Sequence, residues 1–229
     1  MVAPPNGGSL EALDQLVKGF SEAGPLVPDY PAALLGTYTS IYQLLPRPRH
    51  GRLIADADIS KKAGDFYDPA FWQQRGWGLS ATDKDTDKIL QSLLPDIDSL
   101  EARRGIAREY QTKALRRAEQ FHKALDAPAQ RPEGIDLFLV AGDTIATPQQ
   151  FSLDSQTADL SLHSSAPGDD IVTRSSALLD ERIGGEWEPR LKSPIQWDSV
   201  LFISGLHRNI TSHPTFSDNV LYWLLEDPR

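Results

Sequence analysis

The sequence predicts an α/β fold, and three features carry that expectation. Two short apolar runs closed by glycine, Ile135-Asp136-Leu137-Phe138-Leu139-Val140-Ala141-Gly142 and Val200-Leu201-Phe202-Ile203-Ser204-Gly205, have the pattern of buried parallel strands. Segments with apolar residues at helical spacing flank and separate them. The resulting order of strand, excursion, helix, strand and helix in the C-terminal part of the chain is an α/β alternation.

The elements follow in order. Met1-Val2-Ala3-Pro4-Pro5-Asn6-Gly7-Gly8-Ser9 lacks the basic and apolar regions of a signal peptide and reads as a strand end running into a turn. A helix is expected from Ser9 to Gly24. Ser9 is its N-cap, Glu11 and Asp14 lie in its first turns, and Leu10, Leu13, Leu16, Val17 and Phe20 share one face. Gly24-Pro25 ends it. Residues 25–48 are proline-rich around the apolar stretch Ile41-Tyr42-Gln43-Leu44-Leu45-Pro46. Residues 49–87 read as polar and irregular. Their aromatics, among them Phe66, Tyr67, Phe71, Trp72 and Trp77, are interleaved with glycine and proline, which points to a compact subdomain or lid.

A long helix is expected over residues 98–126, with Leu100, Ile106, Tyr110, Leu115, Ala118, Phe121 and Leu125 marking its apolar face. Its arginines 103, 104, 108, 116 and 117 read as a solvated face in preference to a membrane-surface site. Ala127 to Gly134 is a boundary. Beyond it, Gln149 to Asp154 and Ala158 to His163 resemble the arms of a hairpin, and Ser175 to Arg182 a short helix. Pro214 to Glu226 closes the chain as a helix with Phe216, Val220, Trp223 and Leu224 turned inward.

Composition bounds the function. The 229 residues are 40% hydrophobic and 24% charged, enough for one large domain or a core with an inserted subdomain. The absence of cysteine excludes disulfides, thiolate metal sites and cysteine nucleophiles. A net charge of −9 disfavours nucleic acid as a partner. No apolar run reaches the roughly 18 residues of a membrane-spanning helix.

Two polar clusters sit where α/β folds place their chemistry, in loops just past strand ends. One is Gly168-Asp169-Asp170-Ile171-Val172-Thr173-Arg174-Ser175-Ser176-Ala177, and the other is Leu206-His207-Arg208-Asn209. An acid followed by a histidine after the last strand is the order of the α/β-hydrolase triad. A serine hydroxyl needs an imidazole to take its proton, and the imidazole needs a fixed carboxylate to hold its tautomer and stabilise its charged form. His207 is the candidate base, and Asp169, Asp170 and Asp143 are the candidate acids. His213 reads as part of a helix start, and His50, His122 and His163 as surface residues. Ser175 and Ser176 lack an elbow setting and read as helix-start residues. Trp72 and Trp77 read as core of the compact subdomain or lid more readily than as a substrate platform. A metal site built from His163, Asp169 and Asp170 is disfavoured, because aspartate pairs in loops are seldom ligands.

The acid loop 168–175 resembles that of the lecithin:cholesterol acyltransferase family, a lipase-like branch of the α/β-hydrolases. In that motif the aspartate after the glycine is the triad acid, here Asp169. Gly205-Leu206-His207-Arg208-Asn209-Ile210 is similar to the family's histidine loop, which makes His207 the base. Thr147-Pro148-Gln149, Pro4-Pro5-Asn6-Gly7-Gly8-Ser9, Ser40-Ile41-Tyr42-Gln43-Leu44-Leu45-Pro46, Tyr67-Asp68-Pro69 and Gly76-Trp77-Gly78 extend the resemblance along nearly the whole chain.

The resemblance implies the C-terminal part of an α/β-hydrolase sheet with an inserted, mostly helical cap. Residues 1–24 would be a core strand end and helix, 25–134 the cap, and 135–229 the rest of the core. No Gly-x-Ser-x-Gly occurs in the 229 residues. The nucleophile is therefore expected in a complementary N-terminal half, and the chain alone is expected to be inactive. The implied function is ester hydrolysis or acyl transfer on an ester or lipid substrate, with no cofactor and no metal. The alternative is a non-catalytic interaction module that has kept this scaffold.

Overall fold

The computed structural model describes residues 1–21, 29–181 and 192–227. The first residues form a strand fragment. The Val140 N–H donates to Met1 O at 3.0 Å and the Ala3 N–H to Val140 O at 2.7 Å, a parallel bridge of Val2 to Val140. The chain then turns through Gly8, where φ is 83° and a side chain would fall 2.5 Å from the Leu45 carbonyl oxygen. Helix α1 (Leu10–Lys18) follows. The Ser9 hydroxyl accepts the Glu11 N–H and donates to Ile171 O, so the helix start is tied to the loop that carries Asp169. The helix stops at Gly19, whose φ of 87° breaks the helical path. The expected stop at Gly24-Pro25 lies outside the described residues.

Short helices α2 (Ala32–Leu35) and α3 (Thr39–Gln43) lead to strands β1 (Arg52–Ala55) and β2 (Asp58–Lys62), then to α4 (Pro69–Arg75) and α5 (Lys84–Leu93). Residues 49–87 are therefore not irregular: they contain a hairpin, the whole of α4 and the first turn of α5. The hairpin turn is Asp56-Ala57, with φ of 51° and 57°. Two-residue hairpin turns favour glycine in such positions because a Cβ is strained there. Here tertiary bonds hold the turn. The Asp56 N–H donates to Leu153 O at 3.0 Å, the Ala57 N–H to Ser152 Oγ at 2.8 Å, and the Ser155 N–H to Asp56 Oδ1 at 2.8 Å. Ala57→Gly should consequently stabilise the protein by about 0.5–1 kcal/mol, read as a higher denaturant midpoint at constant slope. An unchanged or lower midpoint would show the turn to be unstrained.

Helix α6 (Leu100–Leu125) matches the expected span, but of the expected face only Leu115 and Ala118 are buried. Its buried residues are Ala107, Gln111, Ala114, Leu115, Ala118 and His122, whereas Leu100, Ile106, Tyr110, Phe121 and Leu125 are exposed. Small residues let α6 approach its neighbours closely. Gln111 is satisfied there, accepting from Ser80 Oγ at 2.5 Å and donating to Trp77 O at 3.0 Å. Arg104 pairs with Asp87 and Arg103 donates to Leu94 O, so these two arginines brace α5 against α6, while Arg108 pairs with Glu101 within α6. Trp72 is fully buried. Its indole N–H donates to Phe66 O at 2.8 Å, and its ring lies 5.6 Å from Trp77 in an edge-on contact and 6.1 Å from Tyr42. Trp72 and Trp77 are core residues.

The remaining elements are β3 (Phe138–Gly142), β4 (Ile145–Leu153), β5 (Leu160–Gly168), α7 (Arg174–Leu178), β6 (Ser199–Ile203) and α8 (Pro214–Leu225). Strands β3 and β6 pair in parallel, with Gly142 opposite Ile203. With the Val2 bridge they make a parallel unit, and among the described residues no strand pairs with the far side of Met1–Ala3 or of β6. A second, mixed sheet has the order β2-β1-β4-β5, with β1 parallel to β4 and the other pairs antiparallel. It carries the pairing across residue 134. The expected hairpin 149–163 is its β4–β5 arm, longer at both ends. Helix α7 ends before Leu179, which takes a φ of 51°, while Arg182 lies outside the described residues. On α8, Phe216 and Trp223 pack against Val140 and Ile203, but Leu224 is 74% exposed, contrary to the inward position expected for it. The helices and strands together form an α/β fold. Among the described residues, no helix is long and apolar enough to cross a membrane.

His50 and His122 are not surface residues. They are buried, and Arg47, itself 5% exposed, lies beside them. Arg47 Nε donates to His122 Nδ1 at 3.2 Å and its Nη2 lies 3.2 Å from Asp126. Burial, with the charges of Arg49 and Arg47, pushes the His50 pKa down to about 4. Burial also lowers that of His122. A histidine depressed on folding stays neutral while the unfolded chain takes up a proton, so stability falls as pH drops from about 6.5 towards 4. For His50 the full effect is about 3 kcal/mol. His50→Gln should flatten the decline of melting temperature between pH 7 and 4. A parallel decline in both proteins would show that His50 is not its source.

Candidate active site

The parallel pairing of β3 and β6 sets their C-terminal ends side by side, and the two loops of interest meet there. The histidine loop follows β6 directly: Leu206 is extended and His207 opens a 3-10 turn through Ser212. The acid loop follows β5 and is returned to the end of β3 by close packing. A side chain on Gly142 would fall 2.6 Å from Asp169 Cβ, so the glycine leaves the room in which Asp169 sits. Thr173 caps α7 through the Ser176 N–H and fixes the far end of the loop.

Asp169 is 1% exposed, and its carboxylate is fully engaged. Oδ1 accepts from the Val172 N–H at 2.7 Å and the Ile171 N–H at 3.2 Å. Oδ2 lies 2.9 Å from Nδ1 of His207. Backbone donors of this kind offset the desolvation of a buried carboxylate. The ionised carboxylate only accepts, so Nδ1 carries the proton and Nε2 is the nitrogen with a free lone pair in the neutral ring. The loops are also tied through the main chain. The His207 N–H donates to Asp169 O at 2.8 Å and lies 3.3 Å from Asp170 Oδ1. The Asp169 hydrogen bond raises the His207 pKa above its ordinary value, against the lowering effect of partial burial, and the charges of Asp169 and Asp170 add to the rise. His207 is held yet reachable, with 29% of its side chain exposed.

The structure thus brings Asp169 and His207 together. Asp143 lies at the end of β3, where its Oδ2 is 3.8 Å from Arg174 Nη1. Asp170 meets the backbone of His207. His213 caps α8 by accepting the Thr215 N–H, and His163 is exposed on β5. Ser176 is fully buried, with its hydroxyl donating to Gly8 O at 2.6 Å, and Ser175 Oγ lies 3.2 Å from Thr173 Oγ1. Among the described residues, no group of three potential metal ligands occurs. An apolar groove of about 290 Å³ runs between Pro5-Asn6, α3 and the end of α6, and neither Asp169 nor His207 lines it.

Sequence reasoning quoted Thr147 only as part of a similar segment and missed its role, which is to receive the Asp170 N–H, as well as the spacing role of Gly142. The one available signal for Gly142 was its position, a glycine closing an apolar strand. No family model matches the chain, and no curated protein matches it significantly.

Proposed function

We propose that this chain supplies the acid and base of a Ser-His-Asp site of the α/β-hydrolase type, in the lipase-like branch that includes lecithin:cholesterol acyltransferase. It would cleave or transfer an acyl group from an ester or lipid. The carrying observation is the Asp169–His207 pair at the joined ends of two parallel strands. A buried carboxylate engaged by two backbone N–H groups and one imidazole nitrogen is suited to fix a tautomer and to stabilise an imidazolium.

In this reading the nucleophilic serine comes from a complementary segment outside these 229 residues, and residues 25–134 form the cap. Nε2 of His207 takes the hydroxyl proton as the serine oxygen attacks the ester carbonyl. The tetrahedral intermediate collapses, the C–O bond to the alcohol breaks, and the imidazolium returns its proton to the leaving alkoxide. The acyl-serine is then attacked by water, giving a carboxylic acid, or by an alcohol, giving a new ester. His207 moves the proton again in that step, while Asp169 stays ionised throughout. Because the base must be neutral and its pKa is raised, activity should rise with pH through a value above the usual histidine range of about 6.5.

The test is to express the chain with the coding sequence found immediately upstream of Met1 and to assay an activated ester. Hydrolysis that needs both parts, and a Gly-x-Ser-x-Gly in the added part, are expected. Hydrolysis by the 229 residues alone, lost in Ser175→Ala or Ser176→Ala, would place the nucleophile elsewhere. A full-length product that contains no such serine and has no activity would favour the interaction-module alternative.

A further inference from the structure

Thr147 lies on β4, more than twenty positions from the acid loop in sequence, and is fully buried. Its hydroxyl donates to Ile145 O at 3.0 Å and accepts the Asp170 N–H at 2.9 Å. The same oxygen occupies the space a side chain on Gly168 would need, 2.4 Å from such a Cβ. Asp170 has a φ of 82°, a left-handed conformation that costs a non-glycine residue about 1–3 kcal/mol and persists only where its surroundings hold it. Asp170 is also the hinge of the site. Asp169, which precedes it, aims its carboxylate at the His207 ring, and Asp170's own carboxylate lies 3.3 Å from the His207 backbone nitrogen.

We propose that Thr147 is a positioning residue whose hydroxyl holds Asp170 in its left-handed conformation and so aims Asp169 Oδ2 at His207 Nδ1. Without the hydroxyl, the Asp170 N–H loses its acceptor and the strained turn loses the bond that opposes its relaxation. Relaxation at Asp170 rotates the peptide unit that joins it to Asp169, and the carboxylate moves off the imidazole. The charged groups around His207 are Asp169 and Asp170 from the acid loop and Arg208 on its own turn, with Glu11 of α1 near Asp170. A change at Thr147 adds or removes no charge, so a shift in His207 reports movement of the acid loop that carries Asp169 and Asp170.

This inference rests on the Asp–His reading of the site, but its test needs no nucleophile. The ring signals of His207 are followed by NMR across pH in the 229-residue chain. Thr147→Val, which keeps the shape and removes the oxygen, should lower the His207 pKa by roughly 0.5–1 unit, and Thr147→Ser should restore it. A role confined to packing would lower the melting temperature of Thr147→Ser and leave the His207 titration of Thr147→Val unchanged, and that result would overturn the proposal. If Thr147→Val does not fold, hydrogen exchange at the Asp170 amide of the unaltered chain decides. Slow exchange supports the bond to Thr147, and exchange at the rate of an exposed loop amide overturns it. An inactive completed enzyme that retains the titration response would count against the proposed function and leave the role of Thr147 standing.

Discussion

In an assembly that carries the serine, Asp169→Asn and His207→Ala should each lower turnover about a hundred- to ten-thousand-fold. The loss differs in kind between the two. His207→Ala removes the group that accepts and returns the proton. Asp169→Asn leaves an imidazole in place but replaces the acceptor at 2.9 Å with an amide that can present a donor to Nδ1, so the tautomer with Nε2 as acceptor is no longer enforced. It also removes the largest cause of the raised His207 pKa, so the acid limb of the pH–rate profile should move to lower pH as the plateau drops. Asp143→Asn should cost far less, because Asp143 faces Arg174 at 3.8 Å. Equal losses in Asp143→Asn and Asp169→Asn would contradict the assignment of the acid. Both substitutions should be read beside melting temperatures, since Asp169 also anchors the backbone of Ile171 and Val172.

Trp72→Ala should have the largest effect on stability, about 3–5 kcal/mol of unfolding free energy. The side chain is fully buried amid Tyr42, Phe66, Phe71, Trp77 and Leu115, and truncation would leave a large void and orphan the Phe66 carbonyl that accepts its indole N–H. The same core cluster includes Leu10, Leu13 and Leu16 of α1, Leu53 of β1 and Phe151 of β4. The loss should therefore spread from the segment 25–134 into the elements around it. Chemical denaturation measures this directly. A loss below about 1 kcal/mol would mean that the core closes around the missing ring.

The site was legible in the sequence wherever its groups lie in short linear patterns at strand ends. Both apolar strands, the glycines closing them and the two loops could be read directly. Which acid meets His207 could not be derived from spacing, since residues 169 and 207 follow strands of different sheets and meet only because the acid loop packs against Gly142 at the end of β3, beside β6; the resemblance selected Asp169 over Asp143 and Asp170. The role of Thr147 was invisible for a physical reason. It acts through a backbone amide, and a threonine in a strand is unremarkable by composition. The β1–β2 hairpin was missed because Asp56-Ala57 adopts a glycine-type turn without glycine, sustained by bonds to Ser152, Leu153 and Ser155. The buried face of α6 was misread because helical periodicity weights large side chains. Here alanines and a doubly bonded glutamine allow the close approach, and the large residues lie outside it. His50 and His122 were misread for a related reason, since a neighbourhood rich in arginine looks solvated although Arg47 is itself buried against His122.

The central claim is that His207, held by Asp169, activates a serine that lies outside these residues. Intact-mass analysis after mixing the completed assembly with a slowly turned-over ester tests it most directly. One acyl group should appear on a serine of the complementary segment, and it should disappear in His207→Ala. An acyl group located within residues 1–229, or one that forms at the same rate without His207, would contradict the claim.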